Sequence, residues 1–166
     1  MIEIVDYDPS WPAVFAALRD RVGDALPGIA RRIEHVGSTA VPGLAAKPVV
    51  DLTVVVDTLD HLPSVIGALD PLGYRYEGDL GIKGRESFAA PDGAPPHHLC
   101  VSAADNACFL TVLAFRDYLR THPDTARAYA ELKRFLAERF GDDRVGYSAA
   151  KSAFITRIVA SALTDS

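Results

Sequence analysis

The sequence predicts an α/β (α+β) domain over residues 1–166. Three observations carry that expectation. Val49–Val56 is a β-branched run suited to a buried strand. His97–Ala103 alternates, with Leu99, Val101 and Ala103 on one face and His98, Cys100 and Ser102 on the other. Two further segments, one from Val14 to Leu26 and one from Tyr129 to Leu136, place apolar residues at helical spacing. The order reads as one strand and a helix, a mixed sheet of about five or six strands, then three helices.

Taken in order, Ile2–Tyr7 alternates and reads as a short strand. Asp8-Pro9 is a turn, Ser10 can cap a helix, and Pro12 fits its first turn. That helix ends near Pro27-Gly28, and Trp11 staples its start rather than binding a base. A strand from Ile33 to Val36 runs into Gly37-Ser38, and a small-residue segment with two prolines leads to Val49–Val56. After a turn at Asp57–Asp60, His61–Leu72 reads as a helix closed by Gly73. Tyr74–Glu77 and Gly84–Phe88 read as strands, joined by a polar, glycine-rich connection. Ala89–Pro96 is a loop, and His97–Ala103 is the last strand. Asp124 caps a helix over Thr125–Phe140 with Tyr129, Leu132, Phe135 and Leu136 on its apolar stripe. Gly141-Asp142-Asp143 breaks it, and Val145–Leu163 is the final helix. No repeat, heptad array or long linker divides the chain.

With 166 residues, 49% of them apolar, the chain can bury a full core. The net charge is −5 and there is no long Lys/Arg run, so nucleic acid is not expected as the main partner. A local basic pocket is compatible with that balance. The first residues carry no basic and apolar leader, and no run of about eighteen apolar residues predicts a membrane span. Cys100 and Cys108 form no CxxC pair or disulfide framework, which points to reduced thiols and a cytoplasmic setting.

The candidate chemistry centres on two places. A Gly-Ser turn after a strand can offer backbone N–H groups and the Ser38 hydroxyl to an anion, and Gly37 permits close approach. Asp51 lies inside a strand that should be buried, where a carboxylate needs a partner. The two together suggest a phosphate cradle facing an acid able to hold a metal. A salt bridge from Asp51 to Lys47 or Arg85 is the structural alternative.

Gly37-Ser38, twelve residues, then Asp51-Leu52-Thr53 resembles the nucleotidyltransferase-superfamily motif. More specifically, HVGSTAVPGLAAKP followed by VVDL resembles the GrpB family of bacterial proteins, and so does YDPSWP before the first helix. The likeness continues through FRDYLRTHP, which decides for a helix over Phe109–Arg120 where LTVLAF alone reads either way. It extends to Tyr147, Lys151 and Phe154 in the last helix. It implies a nucleotidyltransferase-like mixed sheet with flanking helices and a C-terminal helical segment, and a cleft on one sheet face.

The resemblance also implies a use for a nucleotide triphosphate and Mg²⁺ in modifying a small molecule. In that superfamily Gly-Ser holds phosphates and two acids one residue apart hold the metal. Here Thr53 stands at the second place, a poor replacement for a carboxylate on a hard dication. Glu86, in a GRE tripeptide that fits the family pattern, is the candidate for a further metal-binding acid beside Asp51. His98 is a candidate base or phosphate contact rather than a zinc ligand, since Cys100 has no second ligand cluster. His35, Gly37, Ser38, Lys47, Arg85, Tyr147 and Lys151 are the candidate nucleotide contacts. For Lys47 the options are neutralising a phosphate or pairing with Asp51. For Tyr147 and Lys151, four apart on one helical face, they are closing over a nucleotide or simply packing. Arg116, beside Asp117, reads instead as one half of a helix-end ion pair.

The alternative is a binding module for a nucleotide or phosphometabolite that lacks transfer chemistry, and Thr53 favours it. Segments of this family also occur fused to dephospho-CoA kinase, which implies a link to CoA metabolism. The chain has no Gly-x-x-x-x-Gly-Lys-Ser/Thr loop and so is not that kinase itself.

Overall fold

The β-branched run and the alternating segment become neighbouring parallel strands at the centre of one five-stranded sheet in the computed structural model, which describes residues 1–164. The elements are α1 (Trp11–Ala25), β1 (Arg32–Val36), β2 (Val50–Val56), α2 (Leu62–Leu69), β3 (Arg75–Gly78), β4 (Glu86–Ala89), β5 (His97–Ala103), α3 (Ala107–Thr121), α4 (Pro123–Phe140) and α5 (Arg144–Thr164). The sheet order is β1-β2-β5-β4-β3. Only the β2–β5 pair is parallel; β1–β2, β4–β5 and β3–β4 are antiparallel, so the sheet is mixed as expected.

Register assigns each side chain to a face. Leu52 lies opposite Leu99, and Val54 opposite Val101. All four are buried, on the face that packs with Val22 of α1, Leu26 just beyond it, and Val65 and Leu69 of α2. Each such side chain contributes roughly 1.5–3 kcal/mol by leaving water. Asp51 pairs with His98 and Thr53 with Cys100, one residue out of phase. They therefore point to the other face, over which α3, α4 and α5 form a wall.

Several boundaries differ from expectation. Ile2–Tyr7 is not a strand: Val5 makes one bridge to Ala46, exchanging bonds of 2.9 and 3.0 Å. Its partner is the proline-containing loop between β1 and β2, and the ladder goes no further. Ser10 precedes α1 but makes no side-chain cap. Instead the Asp8 carboxylate accepts from the Ser10 amide at 2.8 Å, a bond that lowers the Asp8 pKa. Trp11 is buried, packing edge-on to Tyr7, in keeping with the staple role. The α4 start falls at Pro123, which suits a first-turn position, and Asp124 lies inside the first turn rather than before it. α3 begins two residues earlier than expected because Asn106 Oδ1 accepts from the Phe109 amide at 3.0 Å.

Candidate functional site

The turn after β1 sits where it does because three groups hold it. Val36 pairs with Asp51 across the sheet, so Gly37 leaves β1 directly beside that acid. Ser38–Ala40 then forms one 3₁₀ turn. From α3, Arg116 donates to the His35 carbonyl at 3.0 Å and Arg120 to the Ala40 carbonyl at 2.9 Å. Arg116 also pairs with Glu34 at 2.7 Å and with Asp117 at 2.9 Å. Its charge is thus spent on fixing the turn.

Seven of the expected residues line one cavity of about 300 Å³: Gly37, Ser38, Lys47, Asp51, His98, Tyr147 and Lys151. The turn and β2 form one side; α3, α4 and α5 form the others. His98 Nδ1 lies 2.9 Å from Asp51 Oδ1. A carboxylate only accepts, so Nδ1 carries the proton. That bond raises the His98 pKa, against the opposing effects of burial and of the Lys47 and Arg85 charges.

Sequence reasoning missed the most telling group in the cavity. Lys133 of α4 is 2% exposed, donates to the Ala45 carbonyl at 2.5 Å and sits 4.7 Å from the Tyr129 ring centroid. Burial, then the charges of Lys151 and Lys47, bring its pKa down to about 7. The legible signal was a lysine four residues after Tyr129 and three before Leu136, within the expected stripe of Tyr129, Leu132, Phe135 and Leu136, of which Phe135 is exposed. Lys47 and Lys151 lie 4.8 and 5.1 Å from the Tyr147 ring centroid. Burial lowers both their pKa values, and Lys47 adds to the effect on Lys151. Among the described residues no carboxylate forms an ion pair with any of the three. Tyr147 is 1% exposed, and its buried hydroxyl has no hydrogen-bond partner among the described residues.

Three expected contacts are placed elsewhere. Glu86 pairs with Val101, so it faces away from Asp51, and its carboxylate accepts from the Tyr76 hydroxyl at 2.7 Å. Glu86 is therefore corrected as a metal ligand or catalytic acid: the sheet lies between it and Asp51. His35 pairs with Leu52 and also faces away. It stacks on Phe15, its Nε2 lies 2.9 Å from the Thr39 hydroxyl, and burial, then the Arg120 charge, lowers its pKa to about 4. It supports the turn from beneath as a neutral group; of the adjacent pair, Glu34 faces the cleft side. Arg85 is outside the cavity lining, although its charge acts on His98 and Cys100 and its buried Nε has no partner among the described residues.

The donor set limits any metal. Thr53 is 6% exposed, Glu34 is held by Arg116 and Arg32, and no cluster of three His, Cys, Asp or Glu able to hold an ion occurs among the described residues. Asp51 alone suits one Mg²⁺ that keeps waters and takes its other ligands from phosphates. A two-ion site does not fit.

The GrpB protein family model matches residues 1–161. The chain belongs to the GrpB family. A GrpB crystal structure from Enterococcus faecalis has 34% identity and a TM-score of 0.88, covering 98% of each chain. The GrpB chain is 41% identical to the UPF0157 protein PA4798 of Pseudomonas aeruginosa, over 98% of its own length and 68% of that protein's. It is 30% identical to the dephospho-CoA kinase of Mycolicibacterium paratuberculosis, but spans only 43% of that protein. The Cid1 poly(U) polymerase bound to MgATP is 12% identical with a TM-score of 0.58, covering 82% of the GrpB chain and 45% of Cid1. The GrpB fold is thus nucleotidyltransferase-like, as the sheet and flanking helices indicated.

Proposed function

We propose that this GrpB chain binds a nucleoside triphosphate in the cavity and transfers its nucleotidyl group to a small molecule. The observation that carries the reading is the burial of Lys133 and the unpartnered Tyr147 hydroxyl among the lysines facing Asp51. A buried cation without a counter-ion is costly, and a polyphosphate supplies several anionic oxygens at once. Lys47, Lys133 and Lys151 bind those oxygens, and Ser38 adds a hydroxyl from the turn. Asp51 holds a single Mg²⁺, which when bound offsets phosphate charge.

In the transfer, the acceptor's oxygen attacks the α-phosphorus and the bond to the β-phosphate oxygen breaks. Pyrophosphate leaves with that electron pair. The acceptor's proton passes to His98 Nε2, the ring nitrogen left free by the bond to Asp51. The lysines stabilise the leaving charge.

A second reading has its own support: Thr53 stands where a second acid belongs, and Glu86 faces away, so the pocket can serve binding without transfer. Thermal shift with triphosphates, with and without Mg²⁺, tests both. A Mg²⁺-dependent rise in Tm abolished by Asp51→Asn, with pyrophosphate release on adding an acceptor, is the expected result. A Mg²⁺-independent rise that survives the substitution selects the binding module. No rise with any triphosphate overturns both.

A further inference from the structure

Besides the His98 imidazole, which is hydrogen-bonded to Asp51, the cavity is lined by Phe115, Tyr129 and Tyr147, and none of these three offers an open face to a nucleobase. Tyr129 stacks on Phe154 at 5.3 Å between centroids, carries Lys133 over its ring, and meets Phe115 edge-on at 5.1 Å. Phe115 packs into the cluster of Val41, Leu44 and Leu119. Tyr147 has the ammonium groups of both Lys47 and Lys151 over its ring. Stacking on an aromatic is the usual source of base affinity, at about 1–3 kcal/mol per base. It is already taken up here by cations and by neighbouring rings.

Reading a base edge needs paired donors and acceptors at fixed spacing, which Asn and Gln supply best. Neither occurs in the lining, and Arg116, the one arginine there, is already held by Glu34, Asp117 and the His35 carbonyl. The groups left to a ligand are instead those that suit phosphate: the unpartnered Tyr147 hydroxyl and three lysine ammoniums that no carboxylate pairs with, Lys133 having only the Ala45 carbonyl. The hydroxyl is 1% exposed, so no bulk water satisfies it.

We propose that this pocket recognises the polyphosphate chain itself, through the three lysines and the Tyr147 hydroxyl, and is indifferent to the base attached to it. The inference rests on the nucleotide reading above and narrows it. Selectivity then belongs to the acceptor, and any nucleoside triphosphate serves as donor. Tyr147 donates to a phosphate oxygen, which ends its unsatisfied state.

Isothermal titration of the full chain with Mg²⁺ and inorganic tripolyphosphate, ATP, GTP, CTP and UTP tests this. All five are expected to bind within about threefold of one another. Tyr147→Phe is expected to weaken all five by about five- to tenfold, the loss of one hydrogen bond, with Tm unchanged or raised. A purely packing tyrosine would leave affinity alone. One triphosphate binding more than about tenfold tighter than tripolyphosphate overturns base indifference and leaves the nucleotide reading standing. Equal binding by wild type and Tyr147→Phe overturns the assignment of the hydroxyl. Failure of all five to bind overturns the nucleotide reading and this inference with it.

Discussion

Gly37 has no side chain at the point where the Asp51 carboxylate lies: a Cβ there would come within 2.3 Å of Asp51 Oδ2 and 3.2 Å of its Cγ. Gly37 also has φ 75°, where an L side chain is strained. The turn and the acid therefore occupy one compact unit, and neither moves without the other.

Gly37→Ala is expected to destabilise the protein by about 1–3 kcal/mol, combining backbone strain with displacement of the Asp51 carboxylate. Urea unfolding measures the loss. The same variant should lose the Mg²⁺-dependent part of triphosphate binding, while Gly43→Ala, whose Cβ would meet nothing within 4 Å, should keep it despite its own strained φ.

Lys133→Met removes a buried cation that has no anionic partner. The folded pKa is about 7 against 10.5, so the unfolded chain binds more protons between those values and stability rises with pH across that window. The variant should flatten that slope and raise ligand-free stability near neutral pH by about 1–4 kcal/mol. It should also weaken tripolyphosphate binding. A gain in stability together with a loss in affinity separates a ligand-binding lysine from a structural one.

His35 has the same direction of shift in a lower window. Its folded pKa of about 4 lies below the ordinary 6.5, so protons bind the unfolded state preferentially and stability falls as pH drops from 6.5 to 4. His35→Gln should flatten this acid limb in pH-dependent thermal melts. It should not change triphosphate affinity directly, because the ring faces away from the cavity.

His98 shifts the other way. Its folded pKa is raised, so the Asp51 pairing contributes stability fully below pH 6.5 and loses it as pH rises through the higher folded value. Base function needs the unprotonated ring, so pyrophosphate release should rise with pH as the ring loses its proton. His98→Gln should abolish that limb while retaining triphosphate binding. An unchanged pH profile in the variant would assign the proton to another acceptor.

Much of this was legible in the chain because it depends on periodicity. The β-branched run and the alternation around Leu99 located the two central strands, and alternation alone put Asp51 and Thr53 on one face. The failures concern sequence-distant partners. Whether position 86 faces Asp51 depends on the β4–β5 register, which nothing local to Gly84–Phe88 specifies. The same holds for His35 and Glu34: one of them had to face the cleft, but only pairing with β2 decides which. Ile2–Tyr7 alternates like a strand, yet strand formation needs a partner edge; Val5 bridges Ala46, and Ile2 donates to the Gly141 carbonyl at 3.4 Å instead of extending that ladder. Lys133 was hidden by its chemistry, since a lysine in a stripe ordinarily carries its charge out to water.

The central claim is that the Ser38 turn, Asp51 and the three lysines hold one polyphosphate. A crystal structure with Mg²⁺ and a non-hydrolysable triphosphate tests it most directly. Phosphate oxygens within about 3 Å of Lys133 Nζ and the Tyr147 hydroxyl, with the cation at Asp51, are the predicted result. A triphosphate bound elsewhere, with both of those groups untouched, would contradict it.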